Sequence, residues 1–204
     1  MCFHSKLTQK ASSIEQRFNA KMRQAEHYQA MEAINGFSHP KTPVIIHKDQ
    51  THIDLFEWGL IPHWAKDDSI QNNTLNARME TLAEKASFKQ ILQQRCLVIS
   101  EGFYEWQQIG PSIKQKRKYL IHKVDQGLFA FGGLYSLWQD PISGILRPSY
   151  TIVTTEAEGF MREIHNTKCR MPVILNQDHE ALWLNQAPFD QFKHLPEGMT
   201  ASAV

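Results

Sequence analysis

The second residue of the chain is a cysteine, directly behind Met1. Methionine aminopeptidases trim Met1 when the next side chain is small, and cysteine is small. Trimming leaves Cys2 with a free α-amine and a thiol on adjacent carbons. Such a 1,2-aminothiol attacks an aldehyde through nitrogen and then closes on the imine carbon through sulfur, which no internal cysteine can do. An α-amine has a reference pKa of about 7.7–8.0, against about 10.4 for lysine, so a useful share is neutral at pH 7. The second bond forms within one residue, where effective concentrations are very high. The expectation is that the mature chain begins at Cys2.

Three other segments set polar side chains within apolar surroundings. "EGFYEW" carries Glu101 and Glu105 four residues apart, which share a face if the stretch is one extended strand. Glutamate is rarely buried without a partner, so the pair reads equally as two solvent-facing carboxylates or as a site. "NARMET" places Asn76, Arg78 and Glu80 at alternate positions, and a polar loop would explain it as well. "IHNTKCRMPVIL" carries His165, Lys168 and Arg170 just before an apolar strand; a lone histidine is more often structural than catalytic.

The elements that must position these residues follow from periodicity. A helix is expected over "SSIEQRFNAKMRQ", where Ser12 and Glu15 have capping-box spacing and Ile14, Phe18 and Met22 recur on one face. A second is expected over "TLAEKASFKQILQQR", with Thr81 and Glu84 at the same spacing, and a short third over "NQDHEALWL". "HPKTPVIIH", "THIDLFEWGLIP", "CLVISEGFYEW", "KYLIHKV", "LFAFGGLYSLW", "SYTIVTT" and "MPVIL" read as strands, with "CLVIS" apolar enough to be central. Strands outnumber helices without alternating with them. The expected class is α+β: a single domain over residues 1–204 with a curved or barrel-like, mostly antiparallel sheet flanked by helices.

Composition narrows the function. The 204 residues carry a net charge of +1, so no global field selects nucleic acid or membrane, and any polyanion must be held by a local patch. No apolar run reaches 18 residues and no signal-peptide h-region opens the chain, which points to a cytoplasmic protein without membrane contact. Cys2, Cys96 and Cys169 show no metal spacing and suit a reducing compartment. No metal or cofactor is expected.

Six motifs in order, "MC", "WGLIPHW" (58–64), "NARME" (76–80), "EGFYEW" (101–106), "FAFGGLY" (129–135) and "RMPVIL" (170–175), resemble the SOS response-associated peptidase family, whose members process abasic sites in single-stranded DNA. The resemblance runs from Cys2 to Leu175. It implies a β-rich fold around a positive cleft and a monomer that links Cys2 covalently to an abasic site. It implies that Asn76, Glu105 and His165 sit beside the cysteine: Asn76 to orient, Glu105 to move protons, His165 to protonate the sugar ring oxygen as it opens. Arg78 and Arg170 would hold phosphates, and Trp58 and Trp64 would stack on bases or line the strand end. Two departures stand out: Phe3 and His4 follow the cysteine where family members commonly have Gly-Arg, leaving His4 as the DNA-facing position, and four residues separate His165 from Arg170 where one is frequent.

The chemistry suits those residue types. An abasic sugar exposes a small aldehyde fraction, and a thiazolidine outlasts a Schiff base, which would hydrolyse or cleave the strand by β-elimination. Arginine forks suit phosphate, and aromatic faces suit unpaired bases. "KQKRKY" (114–119) is the densest basic run and also reads as a solvated hairpin. Two other functions fit the same residues: an N-terminal-nucleophile amidohydrolase or autopeptidase using Cys2, and a single-stranded DNA-binding module without catalysis.

Overall fold

The structure, a computed structural model, describes residues 2–112 and 114–204. Met1, whose removal the sequence reading expects, lies outside the described residues. In chain order the elements are β1 (His4–Leu7), α1 (Ala11–Phe18), β2 (Lys21–Met22), β3 (Met31–Asn35), β4 (Lys41–Ile46), β5 (Asp49–Trp58), β6 (Asn76–Arg78), β7 (Arg95–Ser100), β8 (Gly102–Gln108), β9 (Lys116–Lys123), β10 (Phe129–Gln139), β11 (Leu146–Glu156), α2 (Gly159–Ile164), β12 (Arg170–Pro172), β13 (Ile174–Leu175), α3 (Gln177–Leu184) and β14 (Met199–Ala203).

Five of these strands close a ring: β11 pairs with β10, β10 with β7, β7 with β4, β4 with β5, and β5 returns to β11. Strands in a ring of odd number cannot alternate direction all the way round. The mismatch falls between β5 and β11, which run parallel through Ser149↔Glu57 and Tyr150↔Trp58. The other four pairings are antiparallel. Closure removes the exposed edges that an open sheet of such apolar strands would present. Every residue of β7 is buried, as its run of Cys96, Leu97, Val98 and Ile99 requires. The expectation of an α+β fold on a barrel-like, mostly antiparallel core is met.

A second sheet, ordered β14-β9-β8-β1-β3, lies beside the barrel. The link between the two is the stretch read from sequence as one strand. "CLVISEGFYEW" breaks at Glu101: β7 stays in the barrel and β8 pairs with β1 and β9. The Ser100 hydroxyl donates to the carbonyls of Lys6 and Gly102, fixing the corner. β8 therefore carries Glu105 out of the barrel wall toward β1, which begins two residues after Cys2.

The helices serve packing. Trp183 of α3 lies on the barrel wall over Gly132 and Gly133 of β10, and its indole N–H donates to the Cys96 carbonyl at 3.0 Å. A Cβ at Gly132 would stand 2.9 Å from the Trp183 ring, and one at Gly133 would stand 2.8 Å from the Cys96 sulfur, so both positions must lack a side chain. Two helix expectations need correction. α1 stops at Phe18, because Asn19 turns into the left-handed region at φ 49° and ends the ladder; Glu15 accepts from the Met22 N–H instead of capping. The helix expected over 81–95 is absent: residues 82–94 form a string of turns leading into β7, with hydrogen bonds from Phe88 N–H to Lys85 and from Ile91 N–H to Phe88. The spacing of three that buries Phe88 and Ile91 satisfies either geometry. Among the described residues, no helix is long and apolar enough to cross a membrane.

Candidate functional site

The site forms where the barrel mouth meets the second sheet. At β11 the neighbour changes: β5 leaves after Tyr150, and β6 takes its place from Ile152, running parallel through Ile152↔Asn76 and Thr154↔Arg78. The detour between them brings "NAR" to the rim. Asn76 Nδ2–H donates to the Cys2 carbonyl at 2.8 Å, tying the start of β1 to the barrel. Asn76 Oδ1 is buried and has no hydrogen-bond partner among the described residues, so one acceptor remains beside the cysteine. Cys2 itself is 0% exposed, and its thiol lies 3.8 Å from the His4 carbonyl. Burial pushes the thiol far above its ordinary range, and the Glu105 carboxylate nearby pushes it further. This sulfur is a thiol at neutral pH and needs a base at the moment it reacts.

A titratable carboxyl stands near it. Glu105, on β8, is 3% exposed, and burial lifts its carboxyl to about 7. A carboxyl at that value exists in both forms at neutral pH and can both give and take a proton. His165 Nε2 lies 3.8 Å from Glu105 Oε2. The histidine ends α2, and its burial, with Lys168 and Arg170 close by, lowers its pKa to about 4. The turn that follows is docked on the end of β8. Asn166 exchanges two hydrogen bonds with the Gln108 backbone, at 3.1 and 2.9 Å, and Gln107 donates to the Glu163 carbonyl. The four residues between His165 and Arg170 thus form an anchored turn that holds the histidine against Glu105.

A cavity of about 400 Å³ opens onto this group, lined by Phe3, His4, Glu105, Trp106, Lys116, His165, Thr167 and Lys168. His4 packs edge-on to Trp106 with ring centroids 5.0 Å apart, and its pKa is lowered by burial and by Lys118. Lys116 and Lys168 give the mouth two exposed positive charges on opposite elements, while Lys118 lies over the Tyr104 ring at 4.0 Å. Among the described residues no cluster of His, Cys, Asp or Glu could hold a metal ion.

The structure therefore brings together Cys2, Asn76, Glu105, His165 and His4, and sets Arg78 exposed two residues along β6 from Asn76. Other expected positions are placed differently. Trp58 is wholly buried, with its indole N–H on the Leu75 carbonyl and its ring stacked near Tyr150, so it has no face to offer a base. Trp64 is 48% exposed and its N–H reaches the Ala86 carbonyl. Arg170 is buried and forks onto Glu80 through two bonds of 2.9 Å, with a third to the Thr154 carbonyl at 2.8 Å; its two Nη atoms are engaged, while its buried Nε has no hydrogen-bond partner among the described residues. Glu101 does not share the face of Glu105. It turns the other way to accept from the Thr8 N–H and hydroxyl, beside Lys6. Phe3, Trp106 and Thr167 were not legible as site residues from type or spacing. Lys116 was, but only as one charge in the basic run.

A sequence model of the SOS response associated peptidase (SRAP) family matches residues 1–203. The abasic site processing protein YoqW of Bacillus subtilis is 45% identical over 129 residues, covering 63% of this chain and 55% of that protein. The abasic site processing protein HMCES of Pongo abelii is 32% identical over 157 residues, covering 63% and 44%. The chain thus aligns with about half the length of these curated relatives. A crystal structure of a protein from Bacteroides thetaiotaomicron superimposes with a TM-score of 0.90 at 32% identity, over 100% of this chain and 92% of that one. One from Bordetella bronchiseptica, at 20% identity and a TM-score of 0.84, shares the fold.

Proposed function

The chain belongs to the SOS response associated peptidase family, and from that premise we propose that it captures abasic sites in single-stranded DNA as a thiazolidine on Cys2, once Met1 has been removed. One observation carries the reading: a buried cysteine at the second position, held by Asn76 through its carbonyl, faces a buried carboxyl at the floor of an open, basic-rimmed cavity.

The chemistry balances with one proton carrier. The neutral α-amine attacks C1′ of the open-chain sugar, forming a C–N bond as the carbonyl π pair moves to oxygen. Glu105 gives its proton to that oxygen and receives one from nitrogen, leaving a carbinolamine. Glu105 then protonates the hydroxyl, which leaves as water while the nitrogen lone pair makes the iminium. The Cys2 sulfur attacks the iminium carbon, the C=N π pair returns to nitrogen, and the thiol proton passes to the Glu105 carboxylate. The enzyme group ends as it began, and the net change is loss of one water. A carboxyl near 7 suits both directions, whereas one at 4.5 would be a poor acid at neutral pH. Burial of the thiol keeps it unreactive until an iminium is in reach.

The substrate reading rests on charge and access. Lys116 and Lys168 at the cavity and the exposed Arg78, two residues from Asn76, would hold a backbone, and Trp106 and Phe3 at the cavity, with the exposed Trp64, would offer faces to unpaired bases. A continuous duplex would keep C1′ away from a residue at the cavity floor. The test is incubation with an abasic oligonucleotide, followed by denaturing electrophoresis. Wild type should give a denaturation-resistant product, and Cys2→Ala none, while Cys96→Ala and Cys169→Ala retain it. Amide turnover without a crosslink would favour the amidohydrolase, and reversible salt-sensitive binding alone would favour a plain binding module.

A further inference from the structure

His165 is the one site group whose proton can be located from geometry. Its Nδ1 lies 3.0 Å from the main-chain N–H of Arg170, in a buried position. A backbone amide can only donate, so Nδ1 must be the acceptor, and the single proton of the neutral ring sits on Nε2. Nε2 is the atom that faces Glu105. The amide is not free to turn away. Arg170 pairs with Glu156 in the β11–β12 ladder, its guanidinium is clamped by Glu80 and the Thr154 carbonyl, and the Cys169 N–H closes the turn on the His165 carbonyl at 2.8 Å.

We infer that Arg170 is a positioning residue, whose clamped backbone N–H fixes His165 as a neutral Nε2–H hydrogen-bond donor, so that His165 carries no proton through the reaction and Glu105 alone does. The inference rests on the crosslinking reading for its catalytic half and on hydrogen-bond geometry for its tautomer half. Protonating Nδ1 would set N–H against N–H and break the turn's bond. The groups facing the ring reinforce this. Lys168 on its own turn and Arg170 on β12 are cationic and disfavour an imidazolium, while Glu105 on β8 is an acid facing it, and His4 and Lys116 line the same cavity. In the proposed reaction the Nε2–H donates to the oxygen that gains charge as the amine attacks, and keeps its hydrogen. The backbone of Arg170 thereby has a task separate from the phosphate contact expected of its side chain, and His165 does not protonate the ring oxygen.

The test uses full-length protein with ¹⁵N-labelled histidine, read by long-range ¹H–¹⁵N correlation from about pH 5 to 8, with His165→Gln to assign the signal. The expected result is an Nε2–H tautomer that does not titrate in that range. An Nδ1–H pattern, or conversion to imidazolium with a midpoint near 6.5, overturns the inference. The kinetic arm compares crosslinking rates. His165→Ala should lose about 10²-fold, the loss typical of one preorganised donor. His165→Gln, which keeps an N–H, should recover about tenfold of it, and both should keep the wild-type pH profile. A glutamine variant no faster than alanine, or one whose pH inflection disappears, overturns the donor role. A wild type that forms no crosslink would sink the proposed function instead, while the spectrum would still decide the tautomer.

Discussion

Glu101 and Glu105 stand four residues apart in "EGFYEW", and the fold gives them opposite surroundings. Glu101 sits at the corner between β7 and β8. It accepts from the Thr8 N–H at 3.0 Å and the Thr8 hydroxyl at 2.7 Å, with Lys6 Nζ at 3.7 Å. That carboxylate is engaged in holding the chain after β1 against the corner. Glu105 is more deeply buried, next to Cys2 and a neutral histidine, and burial raises its pKa to about 7. Identical side chains on one short segment thus become a structural anchor and, in the proposed reaction, a proton carrier. Donors and a cation beside Glu101 hold it in place; desolvation beside a thiol makes the charge of Glu105 conditional.

The sharpest way to break that contrast is kinetic. Glu105→Gln should slow crosslinking by about 10²–10⁴-fold, the usual contribution of a general acid–base, with DNA binding nearly unchanged. Glu101→Gln should stay within a few-fold of wild type. A time course of denaturation-resistant product at saturating protein measures both, and a greater loss at Glu101 would reverse the assignment.

Stability against pH offers a second contrast. The folded protein holds the Glu105 proton up to about pH 7, against an ordinary value of 4.5, so between those values the native state binds more protons than the unfolded chain. Stability from this group therefore falls as pH rises through that window, by about 3 kcal/mol in all. His165, lowered to about 4 by burial, contributes the opposite slope between about 4 and 6.5, since there the unfolded chain binds more protons. The difference between wild type and Glu105→Gln isolates the carboxyl: the variant should gain stability relative to wild type on going from pH 4 to pH 8, measured by urea unfolding. Glu101→Gln should instead lose about 1–2 kcal/mol at a single pH through its weakened bonds to Thr8 and Lys6. A Glu105→Gln stability difference that does not change between pH 4 and pH 8 would remove the raised carboxyl.

The smallest expected effect concerns the cavity mouth. Lys116→Gln and Lys168→Gln should each flatten the salt dependence of oligonucleotide binding by about 0.7 in the log–log slope, the value for one contact to single-stranded DNA. An unchanged slope in both would remove the mouth from the DNA path.

Much of this was legible in the residues themselves. The runs at "CLVIS", "FAFGG" and "SYTIVTT" required buried strands, and they form the barrel wall. What was hidden depends on pairings distant in sequence. Ring closure between β5 and β11 and the arrival of β6 beside β11 leave no local trace, yet they bring Asn76 to Cys2. The corner at Glu101 was hidden because Ser100 and Gly102 are compatible with a continuing strand. The burial of Trp58 and Arg170 was hidden because their partners, the Leu75 carbonyl and Glu80, come from other elements. Glu105 and His165 were identified by resemblance; their shared cavity comes from the turn docked on β8, whose Asn166–Gln108 bonds no spacing rule predicts.

The central claim is that both the amine and the sulfur of Cys2 join the sugar. The direct measurement is tandem mass spectrometry of the crosslinked protein after nuclease and protease digestion, with the reacted sample first exposed to a thiol alkylator. The expected product is an N-terminal peptide that begins at Cys2, carries the sugar remnant with the loss of one water, and takes up no alkyl group. A peptide that retains Met1 and carries the adduct, an alkylated Cys2 beside a modified amine, or an adduct on a lysine would contradict it.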